Sequence, residues 1–417
     1  MSMKNKKTSL FFVLFIAFLI GGCNVFAQFN AKSGLRFPEG KTAVEIPFEQ
    51  GPNGHIIMPV QVNGSKTLKF ILDTGAPVAI FPDSEAAKMI DLEIIAQAAV
   101  GGVGSGQAST VPLAGNVTFS FGGIDVTNAL MAVGAGEKLP GRDWDGVFGK
   151  PVFDNLVVDI DWIKNVIRFH RPETYAYSGR GVVVPIVVKN HIYVDATVNI
   201  DGGRETKVSL AVDTGAAFAL SLAPYTDENL FLPKKHISDL VIGYGANGPM
   251  HGALGRIASL KLQDFQFTNV VTTFPDREGF APVKTFAGSQ PFHGLLGARV
   301  LKRFRVILDY SRSQMILEPN QDFDDPFEAN TTGMFLLPAK NGADEIKITE
   351  VVPNSPAQEA GLRAGDRLIS VNGRAVSQLS AHEITALLRE KPGRGMILSV
   401  KRNGERKQVK LVSRKLI

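Results

Sequence analysis

The chain has 417 residues, of which 20% are charged and 44% are hydrophobic, and its formal net charge is +5. This length is enough for about two or three domains with buried cores. Without the three lysines near the N-terminus the net charge falls to +2, which is too small to predict a nucleic-acid partner. The one cysteine, Cys23, rules out an intramolecular disulfide, so packed cores must supply the stability.

The first 27 residues have the pattern of a secretory signal. A lysine-rich start precedes the apolar stretch Leu10–Ile20, which is too short for an ordinary membrane span. Cleavage after Ala27 would remove a signal peptide of residues 1–27. The sequence IGGC instead looks like a bacterial lipobox, which would leave a lipid-bearing Cys23 as the first residue and attach the chain to a membrane. Both alternatives predict export to the periplasm or cell envelope.

The next notable stretch, FILDTGAPVAIF, places a carboxylate inside an apolar run, where burial penalises a charge. Asp73 is followed there by Thr74, Gly75 and Ala76. A glycine-rich stretch, VGGVGSG, comes next, and then a segment in which Val147, Phe148 and Gly149 precede VVDIDW. Short alternating runs bounded by Gly and Asn predict a mostly β structure for residues 41–171.

The same order of parts returns in residues 184–320, after a polar, turn-rich connection. LAVDTGAAFALS carries the second turn, VIGYGANG is the second glycine-rich stretch, and LLG precedes VILDYS. The residues that correspond to those of the first half are Asp213, Thr214, Gly215, Ala216, Leu295, Leu296 and Gly297. The chain therefore contains two related halves.

Two such turns, packed about a pseudo-twofold axis, would bring both carboxylates to one water molecule. Like charges so close cannot both ionise easily, so one carboxyl keeps a proton while the other stays charged. The pair then supplies a general base for the water and a general acid for a peptide carbonyl or amine. Amide hydrolysis by this route needs no metal, cofactor or covalent intermediate.

This duplicated pattern resembles the aspartic proteases, the pepsin and retropepsin group, over roughly residues 41–320. The resemblance implies a mainly β fold of two pseudo-twofold-related β-lobes, with Asp73 and Asp213 catalytic. It also implies that the VFG and LLG segments pack against the strands that bear these residues. The halves are shorter than pepsin lobes, so the chain looks like a fused retropepsin-like pair.

The alanines after the two turns resemble the retroviral pattern, since pepsins usually have Ser or Thr there. Ala76 and Ala216 lack a hydroxyl that could hydrogen-bond a carboxylate, so we predict a less acidic pH optimum than pepsin's. Both glycine-rich stretches stand where the family carries its flaps. Which of them contacts substrate stays open, and an ordinary hairpin turn is the alternative; the candidate flap residues are Gly102, Gly104, Tyr244 and Gly245.

Residues 333–415 form a separate α+β module after an acidic, turn-prone linker. SPAQEAGLRAGDRLISVNGRAV resembles the signature of bacterial PDZ domains, which implies that a peptide binds along a sheet edge beside a helix. By position, the peptide-binding residues would be Gly333, Met334, Phe335 and Leu336, with His382 at the flanking helix. A surface histidine without a specific role is the alternative for His382.

The predicted protein is an exported aspartic endopeptidase whose PDZ domain recruits or gates polypeptide substrates. The seven histidines show no close metal-ligand spacing, so we predict neither a metal nor a cofactor. One alternative is a catalytically silent peptide-binding or scaffold protein of the cell envelope. Another keeps catalysis but pairs like lobes between two chains, giving a dimer in place of the predicted monomer.

Overall fold

The computed structural model describes residues 18–21, 33–51, 54–106, 109–136, 139, 142–278, 291–337, 343–379, 381–389 and 391–417. The predicted cleavage sites and Cys23 lie outside these ranges. So does the side chain of His382, although its backbone belongs to a described helix.

The first lobe is built on one large sheet that contains ten strands. In chain order this part of the chain forms β1 (Phe18–Gly21), β2 (Gly34–Arg36), β3 (Ala43–Pro47), β4 (Glu49–Gln50), β5 (Ile56–Val62), β6 (Leu68–Leu72), β7 (Ala79–Phe81), α1 (Ser84–Ala87), β8 (Glu93–Gly102), β9 (Ser109–Phe121), β10 (Ile124–Val133), β11 (Gly146–Phe148), α2 (Lys150–Phe153), β12 (Val157–Asp161) and β13 (Val166–His170). The main path of the sheet runs β1-β8-β9-β10-β7-β11-β6-β5-β4, and β2 adds to β10.

The second lobe repeats this plan with an eight-stranded sheet of order β15-β16-β17-β22-β18-β21-β20-β19. Its elements are β14 (Val182–Pro185), β15 (Val187–Val188), β16 (Ile192–Asn199), β17 (Glu205–Asp213), β18 (Leu220–Leu222), β19 (His236–Gly245), β20 (Gly248–Leu262), β21 (Phe265–Pro275), β22 (Gly294–Gly297), α3 (Ala298–Leu301), β23 (Phe304–Asp309), a 3₁₀ helix (Tyr310–Arg312) and β24 (Gln314–Pro319). Strands β5 to β11 correspond one to one, in chain order, with β16 to β22. The predicted fold class, a mainly β protein with two related lobes and a C-terminal PDZ domain, is confirmed.

A third sheet joins the lobes, because its six strands come from both halves in the order β14-β24-β23-β12-β13-β3. The central contact is antiparallel pairing of β12 with β23, in which Asp159 lies opposite Ile307. Beside it, Arg305 donates to both carboxylate oxygens of the buried Asp159 at 2.8 and 2.7 Å. This bidentate ion pair links the lobes, since its two partners belong to different halves.

The linker after β24 packs on the second lobe. Phe323 lies 5.4 Å from Phe304 and 5.3 Å from Phe267, measured between ring centroids. The buried Phe327 lies 5.9 Å from the same Phe267 ring and under the Arg303 guanidinium at 3.9 Å. Although the linker is acidic and turn-prone, its two aromatic side chains pack against the core of the protease lobes.

The PDZ module has its own small sheet and core. Its elements are β25 (Met334–Leu336), β26 (Ile346–Val351), α4 (Pro356–Glu359), β27 (Arg367–Val371), β28 (Arg374–Ala375), a 3₁₀ helix (Val376–Gln378), α5 (Ala381–Leu388), β29 (Gly395–Arg402) and β30 (Glu405–Val412). The hairpin β29–β30 turns at Asn403-Gly404, where both residues have positive φ as a type I′ turn requires. The basic side chains of Arg406, Lys407 and Lys410 therefore lie on β30, the edge strand of this sheet.

Among the described residues, no helix is both long enough and apolar enough to cross a membrane.

Candidate active site

The two Asp-Thr-Gly loops begin where the central strands of the two lobes end. Asp73 follows β6 directly, and Asp213 is the last residue of β17. In each lobe the apolar-Gly strand runs parallel to this strand, β11 beside β6 and β22 beside β17. The Asp73 amide donates to the Phe148 carbonyl at 3.0 Å, and Gly297 lies opposite Asp213. The predicted packing of VFG and LLG against the Asp-bearing strands is present in the structure.

The last glycine of each apolar segment fits against the carbonyls of the neighbouring loop. A Cβ on Gly149 would lie 2.0 Å from the Asp73 carbonyl oxygen, and one on Gly297 would lie 2.3 Å from that of Phe218. The next residues continue the contact, because Lys150 and Ala298 donate their amides to the carbonyls of Ala76 and Ala216. Only glycine allows the loop to approach this closely.

The two threonines hold the loops together across the lobes. The Thr74 amide donates to Thr214 Oγ1 and the Thr214 amide to Thr74 Oγ1, both at 3.0 Å. Each hydroxyl then donates to a carbonyl of the opposite lobe, Thr74 to Val212 at 2.7 Å and Thr214 to Leu72 at 3.2 Å. Four buried hydrogen bonds thus fix the position of one loop relative to the other.

The carboxyl groups of Asp73 and Asp213 lie side by side and are buried, with exposed fractions of 0% and 1%. The Gly215 amide donates to Oδ1 of both, at 3.2 Å to Asp73 and 2.9 Å to Asp213. Asp73 Oδ1 also accepts from the Gly75 amide at 2.7 Å. In the part of the chain that the structure describes, the Oδ2 atoms of both aspartates are buried and accept no hydrogen bond from the protein.

Burial raises the pKa of both carboxyl groups, but not equally. Burial raises the pKa of Asp73 only to about 6, because hydrogen bonds with the Gly75 amide, the Asp213 carboxyl and the Gly215 amide offset part of the effect of burial. The pKa of Asp213 rises well above its usual value through burial and the charge of Asp73. Such an arrangement holds one proton and one negative charge between two carboxyl groups.

Two buried histidines that the sequence did not reveal lie on the other side of the loops. His55 Nε2 is 2.9 Å from the Gly215 carbonyl oxygen, and His191 Nε2 is 3.2 Å from that of Gly75. Each histidine belongs to the lobe opposite the glycine that it contacts. A sequence signal existed, since both histidines precede Ile at the start of equivalent strands, β5 and β16.

The candidate flap residues lie on two hairpins whose tips meet. Gly106 donates its amide to the Asn247 carbonyl at 2.8 Å, and Asn247 donates to the Val103 carbonyl at 3.2 Å. Gly104, with a φ of +125°, and Gly245 lie at this contact, where a Cβ would come within 2.7 Å and 2.1 Å of the opposite backbone. Gly102 ends β8, the strand that leads to the first tip.

The second hairpin also reaches the first lobe. Tyr244 and Ala246 pack against a hydrophobic cluster that contains Ala76, Val100 and Trp144. Burial raises the pKa of Tyr244, which is half-buried by this contact. The two hairpin tips thus contact each other, and the second tip also packs against the first-lobe cluster that contains Ala76 of the Asp-Thr-Gly loop.

The predicted PDZ groove lies beside β25, the end strand of its sheet. Met334 and Leu336 are buried in the PDZ core, whereas Phe335 points the other way and packs against the core of the protease lobes. The amides of Gly333 and Met334 already donate to side chains of Asn330 and Thr332, at 2.9 and 3.2 Å. A peptide carboxylate would have to displace these contacts to use the same amides.

Within the described ranges, no group of three or more His, Cys, Asp or Glu side chains is placed to hold a metal ion. The two carboxyl groups and the amides around them are the chemically distinctive groups of the site.

Two family models match this chain. Residues 58–152 and 194–300 match the family model described as aspartyl protease, and residues 347–402 match the model described as PDZ domain. The crystal structure of the aspartic proteinase from Irpex lacteus aligns with 68% of this chain and 99% of that chain, with a TM-score of 0.43 and 13% identity.

Curated relatives match over short stretches. The carboxy-terminal processing protease CtpA of Bacillus subtilis is 34% identical over 88 residues, 21% of this chain and 18% of that protein. The probable protease eep of Enterococcus faecalis is 28% identical over 97 residues, 23% of this chain and 22% of that protein. The regulator of sigma-E protease RseP of Escherichia coli is 38% identical over 60 residues, 14% of this chain and 13% of that protein.

The chain therefore spans less than a quarter of the length of each of these three relatives. Other relatives are named as a serine protease and a zinc metalloprotease, so the shared stretches do not indicate one catalytic type. The two aspartyl-protease segments coincide with the lobes that carry the paired Asp-Thr-Gly loops. The chain therefore combines two segments that match the aspartyl protease family with a C-terminal PDZ domain.

Proposed function

We propose that the protein is an exported aspartic endopeptidase in which Asp73 and Asp213 activate a water molecule. The observation that carries this proposal is the Gly215 amide, which donates to both carboxyl groups at once. One shared donor requires the two groups to be adjacent, as a dyad must be.

The roles of the two aspartates follow from their surroundings. Each carboxyl is supported by two amides, Gly75 and Gly215 for Asp73 and Gly215 and Ala216 for Asp213. Burial raises both pKa values, but that of Asp73 only to about 6, whereas that of Asp213 rises well above its usual value, so the negative charge is better placed on Asp73. Asp73 is then the general base that removes a proton from water. Asp213 keeps its proton and donates it to the carbonyl oxygen of the scissile peptide. The tetrahedral intermediate collapses when Asp73 gives the proton taken from water to the nitrogen, the C–N bond breaks, and Asp213 takes back a hydroxyl proton, which restores both groups.

The hairpin tips support a role for both loops in substrate access. Hydrogen bonds join the tip of the first-lobe hairpin to that of the second, so an extended polypeptide that passes beneath both tips would enter when the tips separate. Closure afterwards would exclude water and strengthen the electrostatic interactions of the dyad.

The test replaces each aspartate by asparagine and measures cleavage of an unfolded protein. Asp73→Asn and Asp213→Asn should each lower kcat by more than about a thousandfold, because neither acid–base role can be filled by an amide. The control is Asp195→Asn, an exposed residue on β16 in the second lobe. Retained folding of all three variants, checked by circular dichroism, separates catalysis from stability.

A silent peptide-binding or scaffold protein is the competing proposal. It predicts that the wild-type chain cleaves no member of a peptide library between acidic and neutral pH, while binding to peptides persists. If both asparagine variants cleaved substrate at the wild-type rate, Asp73 and Asp213 would not be the catalytic groups.

For the PDZ domain we propose gating of the second flap hairpin. Glu350 on β26 accepts a hydrogen bond from the Val241 amide on β19 at 3.2 Å, next to a register shift in that hairpin. Phe335, on the neighbouring β25, packs against the protease core. A peptide that binds along β25 would therefore lie next to β26, the strand whose Glu350 contacts the second hairpin.

A peptide selected for binding to the full chain tests gating. It should change kcat/KM for a short substrate several-fold in the wild type, and Glu350→Met should abolish that response because methionine cannot accept the Val241 hydrogen bond. Glu405→Met, on exposed β30, is the control. If the wild type does not respond but long substrates are preferred over short ones, the PDZ domain recruits rather than gates.

Export remains a proposal from the N-terminal sequence. Mass spectrometry of the mature chain distinguishes the alternatives: a lipid-bearing Cys23 indicates an envelope lipoprotein, and a start at Gln28 indicates a soluble periplasmic or secreted form. An uncleaved N-terminus in a cell fraction that lacks envelope proteins would contradict both.

A further inference from the structure

We propose that His55 and His191 are positioning residues, each of which holds the Asp-Thr-Gly loop of the opposite lobe by donating a hydrogen bond to its glycine carbonyl. This inference rests on the proposed function and adds two residues to it. Neither histidine contacts the reacting atoms directly in the structure, so both would act through the backbone of the loops.

The two contacts are related by the same pseudosymmetry as the dyad. His55 precedes β5 of the first lobe and reaches Gly215 of the second, whereas His191 precedes β16 of the second lobe and reaches Gly75 of the first. The two histidines are 2% and 7% exposed. Burial of a polar imidazole is unfavourable unless it is hydrogen-bonded. Its occurrence at equivalent positions in both lobes indicates that the two histidines have the same role.

The chemistry of the contact fixes the state of each ring. A carbonyl oxygen only accepts, so Nε2 of each histidine must carry the proton and donate it. Burial lowers the pKa of both histidines to about 4, which keeps the rings neutral at higher pH. Each histidine is thus a neutral donor with a defined tautomer over the pH range in which the dyad works.

The hydrogen bond from His55 leads to a catalytic carboxyl through a single peptide group. The Gly215 carbonyl and the Ala216 amide belong to the same peptide unit, and that amide stabilises the ionised form of Asp213. Donation to the carbonyl polarises the peptide and strengthens its N–H as a donor. In the first lobe the Ala76 amide is not among the groups that lower the pKa of Asp73, so His55 should matter more than His191.

Few other charged groups act on this arrangement. Lys150 faces His191 and lowers its pKa further, after burial and against the Gly75 hydrogen bond. Burial, followed by the charges of Asp154 and Asp73, raises the pKa of Tyr310. For His55, burial and the Gly215 hydrogen bond are the contributions that determine its pKa.

The experiment compares His55→Phe, which removes the donor, with His55→Gln, which keeps an N–H at a similar reach. We expect His55→Phe to lower kcat about 10- to 100-fold with little change in KM, because a loop that moves by a fraction of an ångström misplaces the dyad. The basic limb of the pH–rate profile should move to higher pH, since Asp213 loses support for its ionised form. His55→Gln should restore most of kcat, and His191→Phe should shift the profile less.

A matched control is His236→Phe. His236 also lies near a backbone carbonyl, that of Pro233, with Nδ1 at 2.7 Å, but it is at the exposed start of β19. This variant should keep both kcat and the pH profile. If His55→Phe does not fold, His55→Asn replaces it, because the shorter side chain carries an N–H that cannot reach the Gly215 carbonyl.

An independent titration separates failure of this inference from failure of the proposed function. Carbon-13 NMR of labelled aspartate carboxyl groups in the full chain should show that Asp213 titrates at higher pH in His55→Phe than in the wild type, whether or not cleavage occurs. If His55→Phe lowers stability while kcat, the pH limbs and the carboxyl titration stay at wild-type values, the histidine is only structural and the proposal is overturned. A wild type that titrates as expected but never cleaves peptides would overturn the proposed function and leave the positioning role supported.

Discussion

In the first lobe, the catalytic candidate Asp73 accepts two glycine amides, whereas Asp213 in the second lobe shares one of them. The first candidate flap hairpin touches the tip of the second, but the second hairpin also contacts the PDZ domain through Glu350. The backbone plan is therefore duplicated while the surroundings differ. Under the proposed mechanism, this difference would place the general base in the first lobe, and the general acid together with the PDZ contact in the second.

The lobes correspond most closely at the glycine that ends each apolar segment, and substitution of this glycine should cause the largest loss of stability. Gly149→Ala and Gly297→Ala should each destabilise the chain by at least about 3 kcal/mol, because backbone must move to admit the new methyl group. Urea unfolding measures the loss, with Gly203→Ala as control, since its Cβ would meet only the Asp201 side chain at 3.2 Å. Wild-type stability of Gly297→Ala would show that the lobes differ here.

The ion pair between the lobes should contribute more than a similar pair inside one lobe. Arg305→Met should cost about 3 to 5 kcal/mol, because it leaves the buried Asp159 carboxylate without its main partner. Arg312→Met is the control, since Arg312 pairs with Asp309 within the second lobe. A larger loss for the control than for Arg305→Met would contradict the bridging role.

The same pair sets a pH dependence. Although burial raises the pKa of Asp159, its hydrogen bonds from Arg305, with His170 and Arg168 nearby, lower it to about 2, against 3.8 for the ordinary group. The resulting stabilisation, about 2 kcal/mol, is complete above about pH 4 and is lost as the pH falls towards 2. Unfolding measured near pH 7 and near pH 3 should show that the gap between wild type and Arg305→Met narrows in acid.

The threonines provide a smaller, reciprocal effect. Thr74→Val and Thr214→Val should each cost about 1 to 3 kcal/mol, because each removes a hydroxyl that accepts one cross-lobe hydrogen bond and donates another. The double variant should lose less than the sum of the two, since both belong to one network. The serine variants keep the hydroxyl and serve as controls; strict additivity would show that the two loops are held independently.

The alanines after the loops give the smallest expected change. At a pKa of about 6 for Asp73, activity should decline as the pH falls below 6, because the base becomes protonated. Ala76→Ser and Ala216→Ser should move this acid limb to lower pH by about one unit or less, since a new hydroxyl stabilises the ionised form. Ala132→Ser, equally buried on β10, is the control. A wild-type optimum in strongly acidic solution would contradict the prediction.

Much of this organisation followed from the repeat in the sequence. The order of Asp-Thr-Gly, glycine-rich stretch and apolar-Gly segment predicted two related β-lobes because each part has a local backbone requirement. His55 and His191 have no such local requirement. They precede Asp73 and Asp213 by 18 and 22 residues, but each contacts the loop of the opposite lobe, so their role depends on how the lobes pack. The linker was predicted only as an acidic connection, because charge dominates its composition while Phe323 and Phe327 decide its packing.

The sheet that joins the lobes has a consequence for the making of the protein. Its last strand from the second lobe is β24, which ends at Pro319, and this strand lies between β14 and β23. A ribosome-bound chain that has emerged only as far as the first lobe holds Asp73 without its partner carboxyl. A proteolytic site of this design would be absent from unfinished chains and, once the chain is complete, would be insensitive to dilution, because both loops come from one polypeptide.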